Sequence, residues 1–194
     1  MIVLASTSPT RQTLLQNAGV KFSAVAPLVD ERQLVAEHPH WPPDAVSRNL
    51  AAAKSLDVSI RYPEALVIGA DQVLAHDGAI YTKPRDVADC KRQLAELRGH
   101  AHRLISSVAC SRGGAVIWEL SDSATLTMRN FSGDFLDGYV NRNSRNCLSS
   151  VGGYQIEGPG LQLFDAIEGN YFTILGLPLL PLLRYLRAAG ELAA

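Results

Sequence analysis

Apolar positions give the first outline of the chain. Ile2-Val3-Leu4-Ala5 is a short, β-branched-rich run with the pattern of a strand buried on both faces, and it empties at once into Ser6-Thr7-Ser8. Ser8 suits an N-cap, and Pro9 suits the first helical position because a helix start leaves that N–H unpaired anyway. Leu14, Leu15 and Ala18 mark one face of the helix, and Gly19 marks its stop. Phe22, Ala24 and Ala26 then alternate as in a strand. After a Pro- and His-containing loop, Asp44 is the expected cap of a helix with Val46, Leu50 and Ala53 on its apolar face, and Arg48 and Lys54 ride on that face too. "ALVIGADQVLAHDGAIY" reads as a strand through Gly69, then a hairpin turned at Asp77-Gly78, with Asp71 at the strand end.

The second half continues the alternation. Asp86 is the expected cap of a helix whose face is Val87, Cys90, Leu94 and Leu97, with Gly99 ending it. Two longer strands, "HRLISSVACSR" and "AVIWELSDSATLTMR", meet at Gly113-Gly114. Ser132 suits the cap of a helix through Tyr139 and Val140. The glycine-dense "SVGGYQIEGPG" leads to a short helical piece and "NYFTILGLP", and Pro178 opens a last, leucine-rich helix. Hairpins in the middle of the chain cannot be all parallel, so the pattern predicts an α/β chain with a mixed sheet.

Composition narrows the function classes. The 194 residues fit one substantial domain, or two lobes sharing a sheet, with 47% of them hydrophobic and 19% charged, and 1–194 reads as a single domain. A net charge of −1 argues against a nucleic-acid binder that relies on a global basic field, while leaving room for a local basic pocket. Cys90, Cys110 and Cys147 are odd in number and have no CxxC spacing, so they read as small buried hydrophobes rather than a disulfide framework or zinc site. No signal peptide is visible at the start, and the apolar stretch from Tyr171 to Leu186 is broken by Gly176, Pro178, Pro181 and Arg184. The expectation is a soluble protein of a reducing compartment, with no membrane partner.

Most nucleophile and phosphate templates are missing: there is no G-x-S-x-G, H-E-x-x-H or GK[ST]. The His38/His40 and His100/His102 pairs sit beside prolines or after a helix stop, where scattered surface histidines are ordinary. What stands out is a set of charges at element ends. Glu31 and Asp71 have the oxygen chemistry to hold a hard divalent cation, and Arg11, Lys54 and Lys83 can neutralise phosphate oxygens. The opening strand, hydroxyl turn and helix start can be an anion site or an ordinary capped turn; the stretch alone leaves both open.

Across nearly the whole chain, "LASTSPTRQTLL", "VDE", "NLAAAKSL", "VIGADQVL", Lys83-Pro84, "LRGHAHRLISSVA", "SVGGYQIEGPG" and "GLPLLPLL" occur in order. In this the chain resembles the Maf family of nucleoside triphosphate pyrophosphatases, a family also linked by name to septum formation. The resemblance implies a two-lobed α/β fold related to the inosine-triphosphate pyrophosphatases, with a cleft between lobes and frequent homodimers. It implies cytoplasmic cleavage of a nucleoside triphosphate to monophosphate and pyrophosphate with Mg or Mn as the divalent metal. Asp71 matches the family's proposed proton acceptor; Ser6 and Arg11 match its phosphate-facing opening, and Glu31, Lys54 and Lys83 its other polar positions.

Three positions depart from the family's commonest form, and in the family all three are associated with substrate choice. Thr10 replaces the first arginine of S-P-R-R, Gln72 the threonine of G-A-D-T, and Glu157 a glutamine. Gln72 and Glu157 look like the branch that hydrolyses 7-methyl-GTP, although that branch usually carries a bulky aromatic where Thr10 stands. A glutamate can accept hydrogen bonds from guanine N1–H and the exocyclic amine, and it meets the positive charge of a methylated ring. A dTTP/UTP pyrophosphatase and a non-catalytic nucleotide-binding regulator of septation are the other readings.

Overall fold

A computed structural model describes residues 1–193. Among the described residues seven strands form one sheet, in the order β2 (Ser23–Ala24), β1 (Ile2–Ala5), β3 (Leu66–His76), β5 (Ala101–Arg112), β6 (Ala115–Met128) and β7 (Phe164–Glu168), with β4 (Ala79–Tyr81) paired to β3. β1 (Ile2–Ala5) pairs in parallel with both β2 (Ser23–Ala24) and β3 (Leu66–His76). β4 (Ala79–Tyr81) pairs antiparallel to β3, and β7 (Phe164–Glu168) antiparallel to β6 (Ala115–Met128). The predicted mixed α/β sheet is thus present. The chain divides into two compact units, one from residues 1–72, 105–123 and the segment from Asn170 on, the other from 73–104 and 124–169. No helix among the described residues is long and apolar enough to cross a membrane.

In the first unit, successive residues of β1 enter different clusters, as the period of two requires. Ile2 and Leu4 pack with Leu14, Leu15, Ile68 and Leu182, which brings in α1 (Pro9–Asn17) and α7 (Leu179–Ala188). Val3 and Ala5 pack with Val58 and Val67, which brings in α3 (Pro43–Arg61). The buried face of α3 is unusually polar: Ser47, Lys54, Ser55 and Ser59 lie among Val46, Leu50, Ala51 and Val58. Ser47 and Ser107 share a hydrogen bond, Ser107 reaches Ser121 at 2.7 Å, and Ser55 reaches Ser111 at 2.7 Å. These hydroxyls satisfy one another between α3, β5 (Ala101–Arg112) and β6, as buried polar groups must.

The second unit holds the hairpin that was predicted at Asp77-Gly78. Both residues have positive φ, 47° and 78°, as a type I′ turn demands. Asp86 caps α4 (Val87–Leu97) by accepting from Asp89 N, and Ser132 caps α5 (Gly133–Ser149) by accepting from Phe135 N. All three cysteines are buried free thiols, in keeping with the sequence reading.

Several expectations change. Asp44 lies inside the first turn of α3, because the helix is capped at Pro42 and starts at Pro43, two residues earlier than expected. Ala51, not Ala53, is fully buried, and Arg48 turns outward; so does Val87 on α4, at 38% exposure. The strand expected over Phe22 to Ala26 shrinks to two exposed residues. α5 runs past Val140 to Ser149, with a break at Asn143 whose side chain donates to Tyr139 O. β7 has no counterpart in the sequence reading because four of its five residues are exposed and show no alternation. His102 is no surface histidine: it is 2% exposed, shares a 2.7 Å hydrogen bond with the Tyr154 hydroxyl, and burial lowers its pKa to about 4.

Gly69 sets the spacing between β3 and α3. A Cβ there would lie 2.3 Å from Ala51 O and 2.6 Å from Ser55 N, both backbone atoms that cannot swing aside. Gly69→Ala should therefore cost about 1–3 kcal/mol through overpacking, read as a lower urea midpoint with an unchanged m-value. An unchanged midpoint would show that α3 can move off the strand freely.

Candidate active site

The sequence placed Asp71 at a strand end; the structure places it within β3, which continues to His76. The run Val67 to Val73 stays extended because the residues of both faces are covered. Asp71 and Gly69 share one face by alternation, and that face meets α3. Asp71 is 6% exposed, and so is Lys54. Lys54 Nζ donates to Asp71 Oδ1 at 2.6 Å and lies 3.0 Å from Glu31 Oε1. Glu31 is the first residue of α2 (Glu31–Ala36), whose cap Asp30 accepts from Gln33 N. The expected carboxylate pair is therefore joined by one ammonium, with Asp71 buried and Glu31 reaching solvent.

Arg11 adds a second positive charge. Its Nε donates to Gly176 O at 2.9 Å and its Nη1 to Ala70 O at 2.8 Å, so part of the guanidinium holds backbone rather than facing a ligand. Burial lowers its pKa against the opposing pull of Asp71 and Glu31, yet a guanidinium stays charged. Burial also raises the pKa of Asp71, and Lys54 and then Arg11 offset part of that rise.

The opening motif is built as the pattern suggested. Ser8 caps α1 by accepting from Arg11 N, and Ser6 Oγ accepts from Ser8 N at 3.1 Å. These bonds leave fewer free donors at the helix start, since Pro9 brings no N–H and the Arg11 N–H already has an acceptor. Ser6 is buried and Thr10 half-buried in the first turn. Gln72, the next residue on β3, points to the opposite face from Asp71. Its Nε2 donates to Ile174 O at 2.9 Å and to Thr173 O and Ser106 Oγ at 3.1 Å. Ser106 and Thr173 escaped the sequence reading: they lie 34 and 101 residues from Gln72, and no periodicity links such positions.

Lys83 and Glu157 belong to the second unit. Lys83 is exposed in the turn between β4 and α4, and Glu157 is exposed between two 3₁₀ segments, Val151–Gly153 and Pro159–Leu163. No group of three or more His, Cys, Asp or Glu side chains among the described residues forms a ready metal site. Glu31 and Asp71 fit a different kind of site, because Mg²⁺ commonly takes one or two carboxylates and fills its other positions with water and phosphate oxygens.

Comparison with known proteins places the chain among named relatives. A protein of Rhizobium etli named 7-methyl-GTP pyrophosphatase is 48% identical over 98% of this chain and 97% of its own length. One of the same name from Brucella abortus is 46% identical, covering 96% of this chain and 94% of its own. A Granulibacter bethesdensis protein named nucleoside triphosphate pyrophosphatase is 43% identical, covering 96% and 95%. A solved dITP/XTP pyrophosphatase from Mycobacterium abscessus aligns with 99% of this chain and 97% of its own at 14% identity and a TM-score of 0.44. The family described as Maf-like protein matches residues 1–189, and this chain, from its opening strand to its last helix, belongs to the Maf family.

Proposed function

We propose that this protein hydrolyses nucleoside triphosphates to monophosphate and pyrophosphate, that 7-methyl-GTP is its preferred substrate, and that a divalent cation is required. The observation that carries the reading is the buried Asp71 carboxylate on Lys54, with Glu31 on the same ammonium. The names of relatives at 43 to 48% identity support it. Asp71 accepts a proton from the attacking water and orients it. Lys54 and Arg11 place positive charge where the phosphoanhydride oxygens gain negative charge. Ser6 and the start of α1 contribute to binding the phosphates, and Lys83 carries the charge that phosphate binding uses. Glu31 and Asp71 would hold the cation, which when bound supplies further charge neutralisation to the phosphates. Glu157 has the acceptor chemistry to read a guanine edge, and Thr10 and Gln72 are the other positions where the chain departs from the family's common form.

Asp71→Asn keeps the side chain's shape and removes its basicity. Turnover should fall by about 10²–10⁴-fold with an unchanged near-ultraviolet circular dichroism spectrum. In the wild type, the base is lost as pH falls through a carboxylate pKa that burial has raised, so the acid limb of kcat/KM should lie above the range of an ordinary aspartate. Near-wild-type turnover by the mutant would remove Asp71 from the chemistry.

Chelation by excess EDTA should abolish hydrolysis, and Mg²⁺ or Mn²⁺ should restore it, with pyrophosphate as the detected product. Inorganic phosphate with a diphosphate product would mean that the other anhydride bond is cleaved, and full activity in chelator would dispense with the metal.

A charged hydrogen bond is worth about 1.5–3 kcal/mol, roughly tenfold to a hundredfold in selectivity. Glu157→Gln should depress kcat/KM for 7-methyl-GTP by that factor and leave dTTP and UTP nearly unchanged, whereas Lys83→Ala should lower all three. Equal losses across the bases for Glu157→Gln would assign that residue to the phosphates, and a wild-type preference for dTTP or UTP would overturn the substrate assignment.

A further inference from the structure

Residues 170–177 make a short helix and turn, α6 (Tyr171–Ile174) followed by Gly176 at φ 90°. The last carbonyls of a helix have no partners within it. Here they are met from β3. The Ile174 carbonyl accepts from Gln72 Nε2, and the Thr173 carbonyl accepts from Gln72 Nε2, from Ser106 Oγ at 2.7 Å and from Gly176 N. Two residues on, Gly176 O accepts from Arg11, whose other bond is to Ala70 O. The strand residues on either side of Asp71 are thus tied to one turn, directly through Gln72 and by way of Arg11 from Ala70. Thr173 Oγ1 closes the set by donating to Asp122 Oδ2 at 2.5 Å.

The geometry points to Gln72 as a positioning residue for Asp71, which acts by pinning β3 to the 173–176 turn and not by reading the base. Its amide nitrogen has two hydrogens and three acceptors within 3.1 Å, so its donor capacity is spent inside the protein. A neutral donor is what this place requires. A glutamate would set acceptors against carbonyls and a second negative charge beside Asp71, and an apolar residue would leave the Ile174 carbonyl without the donor it has here. Lys54 holds Asp71 from one face of the strand while Gln72 holds the next residue from the other, so the carboxylate's position is fixed across the sheet.

The kinetic arm of the test rests on the pyrophosphatase reading; the exchange arm does not. Gln72→Met keeps length and volume and deletes the donor. Hydrogen exchange of the Leu175, Gly176 and Leu177 amides, which bond within the turn, should speed up by about tenfold, the worth of one or two hydrogen bonds. For each nucleotide kcat should fall by about tenfold to a hundredfold with KM within about twofold, as a misplaced reacting group predicts. The ratio of kcat/KM between 7-methyl-GTP and GTP should stay within about twofold. Ser106→Ala, a milder change to the same carbonyl's partners, should move exchange and kcat in the same directions by less, and it carries the test alone if Gln72→Met does not fold. Unchanged exchange at 175–177, a shifted nucleotide ratio, or a lowered Tm with wild-type kcat in the folded variant would each overturn the assignment. A wild type that cleaves no triphosphate would defeat the proposed function, while exchange at the turn would still decide the role of Gln72.

Discussion

A carboxylate taken out of water is the constraint around which the first unit is arranged. Asp71 sits at 6% exposure between the buried Gly69 and Val73 on its face of β3, where an unpaired negative charge would be expelled or protonated. Lys54 answers it, and Lys54 can do so only because it rides on a helix face that is itself buried. Removing one partner of such a pair typically costs about 3–5 kcal/mol, because the other charge is left stranded. Glu31 makes the arrangement asymmetric: the ammonium serves one dry carboxylate and one wet one. That asymmetry leaves a solvent-facing carboxylate beside a sequestered one, two environments for the same chemical group.

The strand bearing this carboxylate is addressed from both sides. Gly69 lets α3 come close enough for Lys54 to reach, since any side chain at that position would collide with helix backbone. On the reverse face Ala70 and Gln72 connect to the turn after α6, using carbonyls that the helix itself cannot satisfy. Three chain segments far apart in sequence therefore converge on three consecutive strand residues.

Much of this was readable from residue order. The strand, hydroxyl cap and proline at the start, the hairpin at Asp77-Gly78 and the caps at Asp86 and Ser132 all follow local rules, and local rules are what a single sequence displays. Lys54, Asp71 and Glu31 were singled out by charge type, and the fold brings them within hydrogen-bonding reach. What stayed hidden depended on distant partners. Arg11 looked like a free phosphate ligand until its two backbone carbonyls were seen. The buried role of His102 needed Tyr154, 52 residues away. β7 was invisible because an exposed edge strand is specified by its neighbour's hydrogen bonds more than by its own pattern.

The hydroxyl row between α3 and the two long strands has its own consequence. Aliphatic side chains pack against each other at a range of offsets, so a greasy helix can settle a fraction of a turn up or down its bed with little change in energy. Hydrogen bonds between serines tolerate no such drift, because their reach and direction are narrow. With Ser47 and Ser55 engaged two turns apart, α3 is locked along its own axis as well as against the sheet. Lys54 sits beside Ser55, so the axial setting of one helix, fixed by small buried alcohols, determines where the ammonium stands.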